Sequence, residues 1–199
     1  MDTRKIILIA TIAVFLVAGG VYIFGESWWW GNPYVPYEFS EARESGALVA
    51  EQIVFLAHQS LAGLEQIAGL DEQKKYSQAL ELADKELARN SEARQQAILL
   101  SSQLGIMAAY LEQINPGQAQ ALATEAVGYE VSLVNRLINY HSLLRQLYDL
   151  LQQKFRGEAT NSDQLVKQYM DAINQEIRNI NELNQRFTAT MEQFDSATR

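Results

Sequence analysis

The chain has 199 residues, no cysteine and a formal net charge of −8. The missing cysteines exclude a disulfide scaffold, a thiol nucleophile and thiolate metal sites. The acidic balance, uninterrupted by any Lys/Arg cluster, repels phosphate backbones, so no nucleic-acid partner is expected.

Residues Ile6 to Phe24 form an unbroken apolar run directly behind Arg4 and Lys5. At 1.5 Å rise per residue the run reaches about 28 Å, close to the ~30 Å hydrocarbon core of a bilayer. It reads as a single transmembrane helix. Cationic flanks prefer the cytoplasmic side, which puts the short N-terminus inside and the rest in the periplasm or cell exterior. Residues 1–25 carry a net +1 (Arg4 and Lys5 against Asp2), which leaves −9 beyond them. The alternative is a cleaved signal peptide, with Ala18-Gly19-Gly20 as the small-residue site. Against that, the apolar run continues past Gly20, as an anchor requires. Either way the domain lies outside the cytoplasm.

Trp28, Trp29 and Trp30 follow the run, then Tyr34 and Tyr37. Indole and phenol rings prefer the headgroup layer. These five residues are the candidates for a membrane interface or for docking on another membrane protein. Pro33 and Pro36 favour a stiff, extended connector. The chain therefore divides into a cytoplasmic N-terminus (1–5), a transmembrane helix (6–24), an aromatic and proline-rich linker (25–39) and an extracytoplasmic helical bundle (40–199).

Beyond the linker no period-2 alternation occurs, and glutamine, alanine, leucine and glutamate dominate, so the domain is expected to be all-α. A first helix starts at Ser40 as cap and buries Val49, Ile53, Leu56, Ser60, Leu64 and Ile67. Gly69 is the expected stop, with Asp71 capping the next helix. The second region, Asp71 to Ile114, shows a stripe of Tyr76, Leu80, Ala83, Leu87, Asn90, Arg94, Ala97, Ser101, Leu104, Ala108 and Leu111. Asn90-Ser91 leaves open whether it is one helix or two. Asn115-Pro116 forces a restart.

The third helix, Pro116 to Arg156, carries two adjacent stripes, which predicts contact with more than one neighbour. The first holds Leu122, Ala126, Tyr129, Leu133, Leu137, Tyr140, Leu144, Leu147, Leu151 and Phe155. The second holds Val127, Val131, Val134, Ile138, His141 and Tyr148. Gly157 ends this helix. The fourth, Ser162 to Phe194, spaces Val166, Met170, Ile173, Ile177, Ile180, Phe187, Met191 and Phe194 as a heptad seam of the coiled-coil kind. Asn184 falls at an a position, where a buried asparagine fixes register and partner number. The simpler alternative has Leu183 filling that place. Short connections predict an elongated antiparallel up-down-up-down bundle. The weaker alternative is a tetratricopeptide-like helical repeat.

Chemistry is sparse. His58 and His141 lie on different helices, and no Glu-x-x-His or His-Glu-x-x-His occurs. Gly-x-Ser-x-Gly and the glycine-rich phosphate loops are missing as well. Glu81, Asp84 and Glu86 crowd with Lys74, Lys75, Lys85 and Arg89 as on an exposed, salt-laced face. No catalytic residue, cofactor or metal site is expected. The sequence points to a non-enzymatic structural or adaptor subunit, bound to lipid through residues 6–24 and to a protein partner or further copies of itself. The alternative is a ligand-sensing four-helix domain that signals through a partner.

Overall fold

The computed structural model describes residues 33–199, which form four long helices: α1 (Tyr37–Glu72), α2 (Tyr76–Ala109), α3 (Gly117–Phe155) and α4 (Ser162–Ala197). The expected span Ile6–Phe24, the tryptophans Trp28–Trp30 and the possible cleavage site at Ala18 to Gly20 lie outside the described residues. Among the described residues there is no strand. Tyr34 and Asn115 form an isolated antiparallel bridge, with N···O distances of 2.8 and 2.9 Å. One described helix, α1, is long and apolar enough by length and composition to cross a membrane. Its inner face, including Ile53, Leu56 and Ile67, is buried in the helical core.

Several helix ends differ from the sequence expectation, among them the end of α2 at Ala109 rather than Ile114 and that of α4 at Ala197 rather than Phe194. α1 begins at Tyr37, not Ser40, because Pro36 supplies a ready-made first turn and its carbonyl accepts from Ser40 N–H at 3.2 Å. α1 also runs through Gly69 to Glu72, and the left-handed turn falls on Lys74 (φ 56°). Asp71 caps nothing, because its carboxylate binds Lys154 Nζ at 2.7 Å. α2 is continuous through Asn90-Ser91, and a single 3₁₀ turn (Leu111–Gln113) follows it. Gly157 (φ 76°) sits just past the end of α3, as expected of a residue without a Cβ penalty in that conformation.

Each helix packs on the one before it, and polar contacts join the successive pairs. Arg89 on α2 reaches the Gln59 carbonyl on α1. Asn90 on α2 meets His141 on α3. Arg136 on α3 pairs with Glu176 on α4 at 3.3 Å. α1 and α4 meet at the Tyr34 end, where Arg43 grips Asp195 with two bonds of 2.6 and 2.9 Å and Phe39 lies against Phe194 with ring centroids 5.6 Å apart. A planar two-bond pair of this kind, three-quarters shielded, fixes orientation as well as adding attraction. At the opposite end Lys154 bridges Asp71 of α1 and Asp163 of α4.

The inner face of α2 is built from small side chains. Ala79, Ala83, Ala93 and Ala97 are buried, and Ala119, Ala123 and Ala126 continue the pattern on α3. Without side-chain bulk the helix axes come close together. This rotates the α2 core face away from the expected stripe. Ala79, Glu86, Ala93, Leu100 and Met107 are buried, while Tyr76, Arg94, Ser101 and Ala108 are exposed. The two stripes of α3 hold except at Val131, which is exposed, and at Tyr129, which stays outside the core with its hydroxyl bonded to Glu125 at the surface. α3 packs on both α2 and α4, as two stripes require.

Ala97→Leu is therefore expected to lower stability by about 1–3 kcal/mol through overpacking. Ala62→Leu, on the outward face of α1, is expected to stay within about 0.5 kcal/mol. Urea unfolding of both variants checks this, and equal effects would contradict the close helix contact.

Candidate functional site

α2 places two polar residues in its inner stripe, Glu86 and Asn90, one turn apart between Ala83 and Ala93. Glu86 is 1% exposed, which corrects the expectation of an exposed charged face for that residue. It fits because α1 offers Gly63 opposite. A Cβ there would stand 2.8 Å from Glu86 Cγ and closer still to the carboxylate. Arg89 binds Glu86 Oε1 one turn along the same helix, while Glu86 Oε2 has no hydrogen-bond partner among the described residues.

Asn90 and His141 form a reciprocal pair between α2 and α3. Asn90 Nδ2 donates to the His141 carbonyl at 2.8 Å, and Asn90 Oδ1 lies 2.7 Å from His141 Nδ1. An amide oxygen can only accept, so this contact places the imidazole proton on Nδ1. The other ring nitrogen, Nε2, is buried with no partner among the described residues. Burial, reinforced by the Arg94 charge, lowers the His141 pKa to about 4. The ring stays neutral at ordinary pH.

Two turns along α3, the Tyr148 hydroxyl lies beside Ser60 of α1 and feels the Glu86 carboxylate, and it has no hydrogen-bond partner among the described residues. Burial, then Glu86 and Tyr140, push its pKa up. Tyr140, packed edge-on to the His141 ring, is raised to about 12 by burial alone. Ser60, Glu86, Arg89, Asn90, His141 and Tyr148 thus make a polar layer across α1, α2 and α3. A second buried carboxyl, Glu130, lies further along α3. Burial raises its pKa to about 7, and its Oε2 has no partner among the described residues.

No family model, curated protein or solved structure matches the chain.

The residues singled out from the sequence do not gather in this layer. Tyr34 and Tyr37 are exposed at the end where α1 begins. Asn184 is half-buried on α4, with Leu183 and Phe187 half-buried and packed against the core beside it. His58 is exposed on α1. Among the described residues no three His, Cys, Asp or Glu side chains group to hold a metal ion. The sequence pattern placed Glu86 on an exposed face and did not single out Glu130 or the Tyr148 hydroxyl as interior polar groups. For Glu86 a signal was present: it stands three residues after Ala83 and four before Asn90, on one face of a helix.

The layer has a signature in stability. Gly63→Ala forces Glu86 to shift, at an expected cost of about 1–3 kcal/mol. Gly69→Ala, in open space within the same helix, is expected to stabilise by about 0.5–1 kcal/mol. Denaturant titration of the pair measures the difference.

Glu130 and His141 act in opposite directions as pH changes. The folded pKa of Glu130 is raised, so from pH 4.5 to about 7 the unfolded chain ionises first and stability falls as pH rises. The folded pKa of His141 is depressed, so from pH 6.5 down to about 4 the unfolded chain takes the proton first and stability falls as pH drops. Glu130→Gln removes the first effect alone. Its advantage over the natural chain is expected to grow between pH 4.5 and 7, to on the order of 2–3 kcal/mol at pH 8. Urea midpoints at pH 4.5 and pH 8 check it.

Proposed function

We propose that the chain is a membrane-anchored structural or adaptor subunit, non-enzymatic, whose helical bundle stands outside the cytoplasm and binds a protein partner. In this reading residues 6–24 span the inner or cytoplasmic membrane with Arg4 and Lys5 on the cytoplasmic side. Tyr34 and Tyr37 mark the membrane-proximal end. The four helices form an elongated up-down-up-down bundle, a reading supported by the ion pairs that tie α1 to α4 at one end and to α3 at the other.

The observation that carries the proposal is the outward face of α1. Tyr37, Leu48 and Phe55 are 72%, 63% and 55% exposed. Their spacing of eleven and seven residues puts them in one line. Large apolar and aromatic side chains aligned on a single helix face are typical of a partner contact. The alternative sensing reading rests on the unpartnered atoms of the polar layer, Glu86 Oε2, His141 Nε2 and the Tyr148 hydroxyl.

Mild cross-linking in native membranes followed by co-purification tests the proposal. Leu48→Glu with Phe55→Glu is expected to reduce recovery of the bound partner at least about tenfold, the equivalent of 1.4 kcal/mol. Helix content should be unchanged, because both residues face solvent. Unchanged recovery would sink the adaptor reading. A thermal shift with one small metabolite, in the absence of any protein partner, would favour the sensing alternative.

A further inference from the structure

α1 and α2 share an outer edge. Gly46 of α1 lies where a Cβ would stand 3.4 Å from Leu100 and 3.7 Å from Gln103, and Gly63 lies against Glu86. Rising numbers on α1 therefore meet falling numbers on α2. Half-buried Ser45, Gln52 and Gln59 border this junction on α1, where the Gln59 carbonyl accepts from Arg89. Half-buried Arg89, Gln96 and Gln103 border it on α2. Three residues on from these, one step outward on each helix, stand Leu48 and Phe55 on α1 and Leu99 and Ile106 on α2. All four are exposed.

The pairing sets Leu48 level with Leu99, Ile106 level with Glu41, and Phe55 level with Glu92. Apolar side chains thus recur at three levels, two helical turns apart, over about 21 Å. A step of about 10.5 Å is the two-turn repeat of a third helix laid along the groove between two others. An extended strand repeats its side chains on one face at about 7 Å and does not keep step.

Charge selects the kind of helix. Glu41 and Glu92 stand in the two outward lines, and Glu44 and Glu51 lie one turn from Leu48 on either side. All four carboxylates are exposed, and no ion pair among the described residues holds any of them. The Lys and Arg residues within 37–55 and 91–109 are Arg43 and Arg94. Arg43 is taken by Asp195 of α4, and Arg94 stands where its charge bears on His141 of α3. The apolar edge is therefore bordered by uncompensated negative charge. A second copy of the chain would bring the same carboxylates, and an anionic lipid surface carries the same sign.

We propose that this edge of α1 and α2 docks an amphipathic helix of a partner protein, one with an apolar stripe for Leu48, Phe55, Leu99 and Ile106 and lysines or arginines on both flanks for Glu41, Glu44, Glu51 and Glu92. The inference rests on the adaptor reading and adds to it the partner's chemistry and the α2 half of the contact. Burial of the apolar side chains supplies affinity, while the carboxylates set orientation and speed association at low salt.

The probe is a synthetic amphipathic helix of about 18 residues, long enough to cover the three levels. It carries leucine at heptad spacing, lysine on both flanks and a photoreactive benzophenone in its apolar stripe. A matched peptide has glutamate for every lysine. With the full chain in nonionic detergent at low salt, the lysine peptide is expected to bind at least about tenfold more tightly than the glutamate peptide, and the gap is expected to narrow in high salt. Its cross-links are expected within 37–55 and 92–109. Leu99→Gln with Ile106→Gln is expected to weaken binding at least about tenfold, with helix content unchanged. Glu41→Gln with Glu92→Gln is expected to weaken it more than Glu65→Gln with Glu158→Gln, which removes the same charge elsewhere on the surface. Equal effects of the two charge pairs, equal binding of the two peptides, or cross-links outside the two stretches would overturn the proposal. So would cross-linking between copies of the chain that Leu99→Gln with Ile106→Gln abolishes, since it gives the edge to a second copy. If Leu48→Glu with Phe55→Glu still releases a partner from native membranes while the lysine peptide fails, the adaptor reading stands and the partner chemistry falls.

Discussion

The distance between α1 and α2 is set by residues that lack bulk. Gly46 lies where a Cβ would stand 3.4 Å from Leu100, and Gly63 lies where a Cβ would collide with Glu86. Buried alanines line the facing side of α2. Close-packed helices interlock over their whole length. Once these two are drawn together, the rotation of α2 is fixed, and with it which side chains enter the core. The exchange of Tyr76, Arg94 and Ser101 for Ala79, Glu86 and Ala93 on the inner face follows from that contact.

The same closeness accounts for the polar layer. A carboxylate at position 86 would normally turn outward, because burying a charge without partners is costly. Here the inner face of α2 offers it no other direction, and Arg89 supplies a countercharge one turn away. Asn90 then meets His141 through two bonds that suit a neutral ring. The layer leaves several polar atoms without partners among the described residues. Replacing a layer of this kind by an apolar interior of equal volume is often neutral or stabilising, so the layer is weak evidence for stability.

Exposure follows a different logic. Of the large apolar side chains left in solvent, Tyr34, Tyr37, Leu48, Ile98, Leu99 and Ile106 belong to the half of the molecule where α1 starts and α2 ends, while Tyr76 and Leu165 belong to the other. That half adjoins the chain leading to residues 1–32. The other end is closed by Lys154, held between Asp71 and Asp163.

Periodicity alone determined that the described domain is helical, that helices stop near Asn115 and Gly157, and that α3 serves two neighbours. Those features depend on local rules: proline geometry, glycine at positive φ and the width of an apolar stripe. The seam of α4 was legible for the same reason, since its large apolar residues leave one way to face inward. The inner face of α2 was not legible. Its leucines and alanines offer two stripes a fraction of a turn apart, and hydrophobicity favours the larger residues. Only the close approach of α1, which admits alanine and excludes bulk, selects the other stripe. Glu86 and Glu130 became interior groups in the same way. A helix carries charged side chains to whichever side its neighbours leave, and that is settled by contacts between residues distant in sequence.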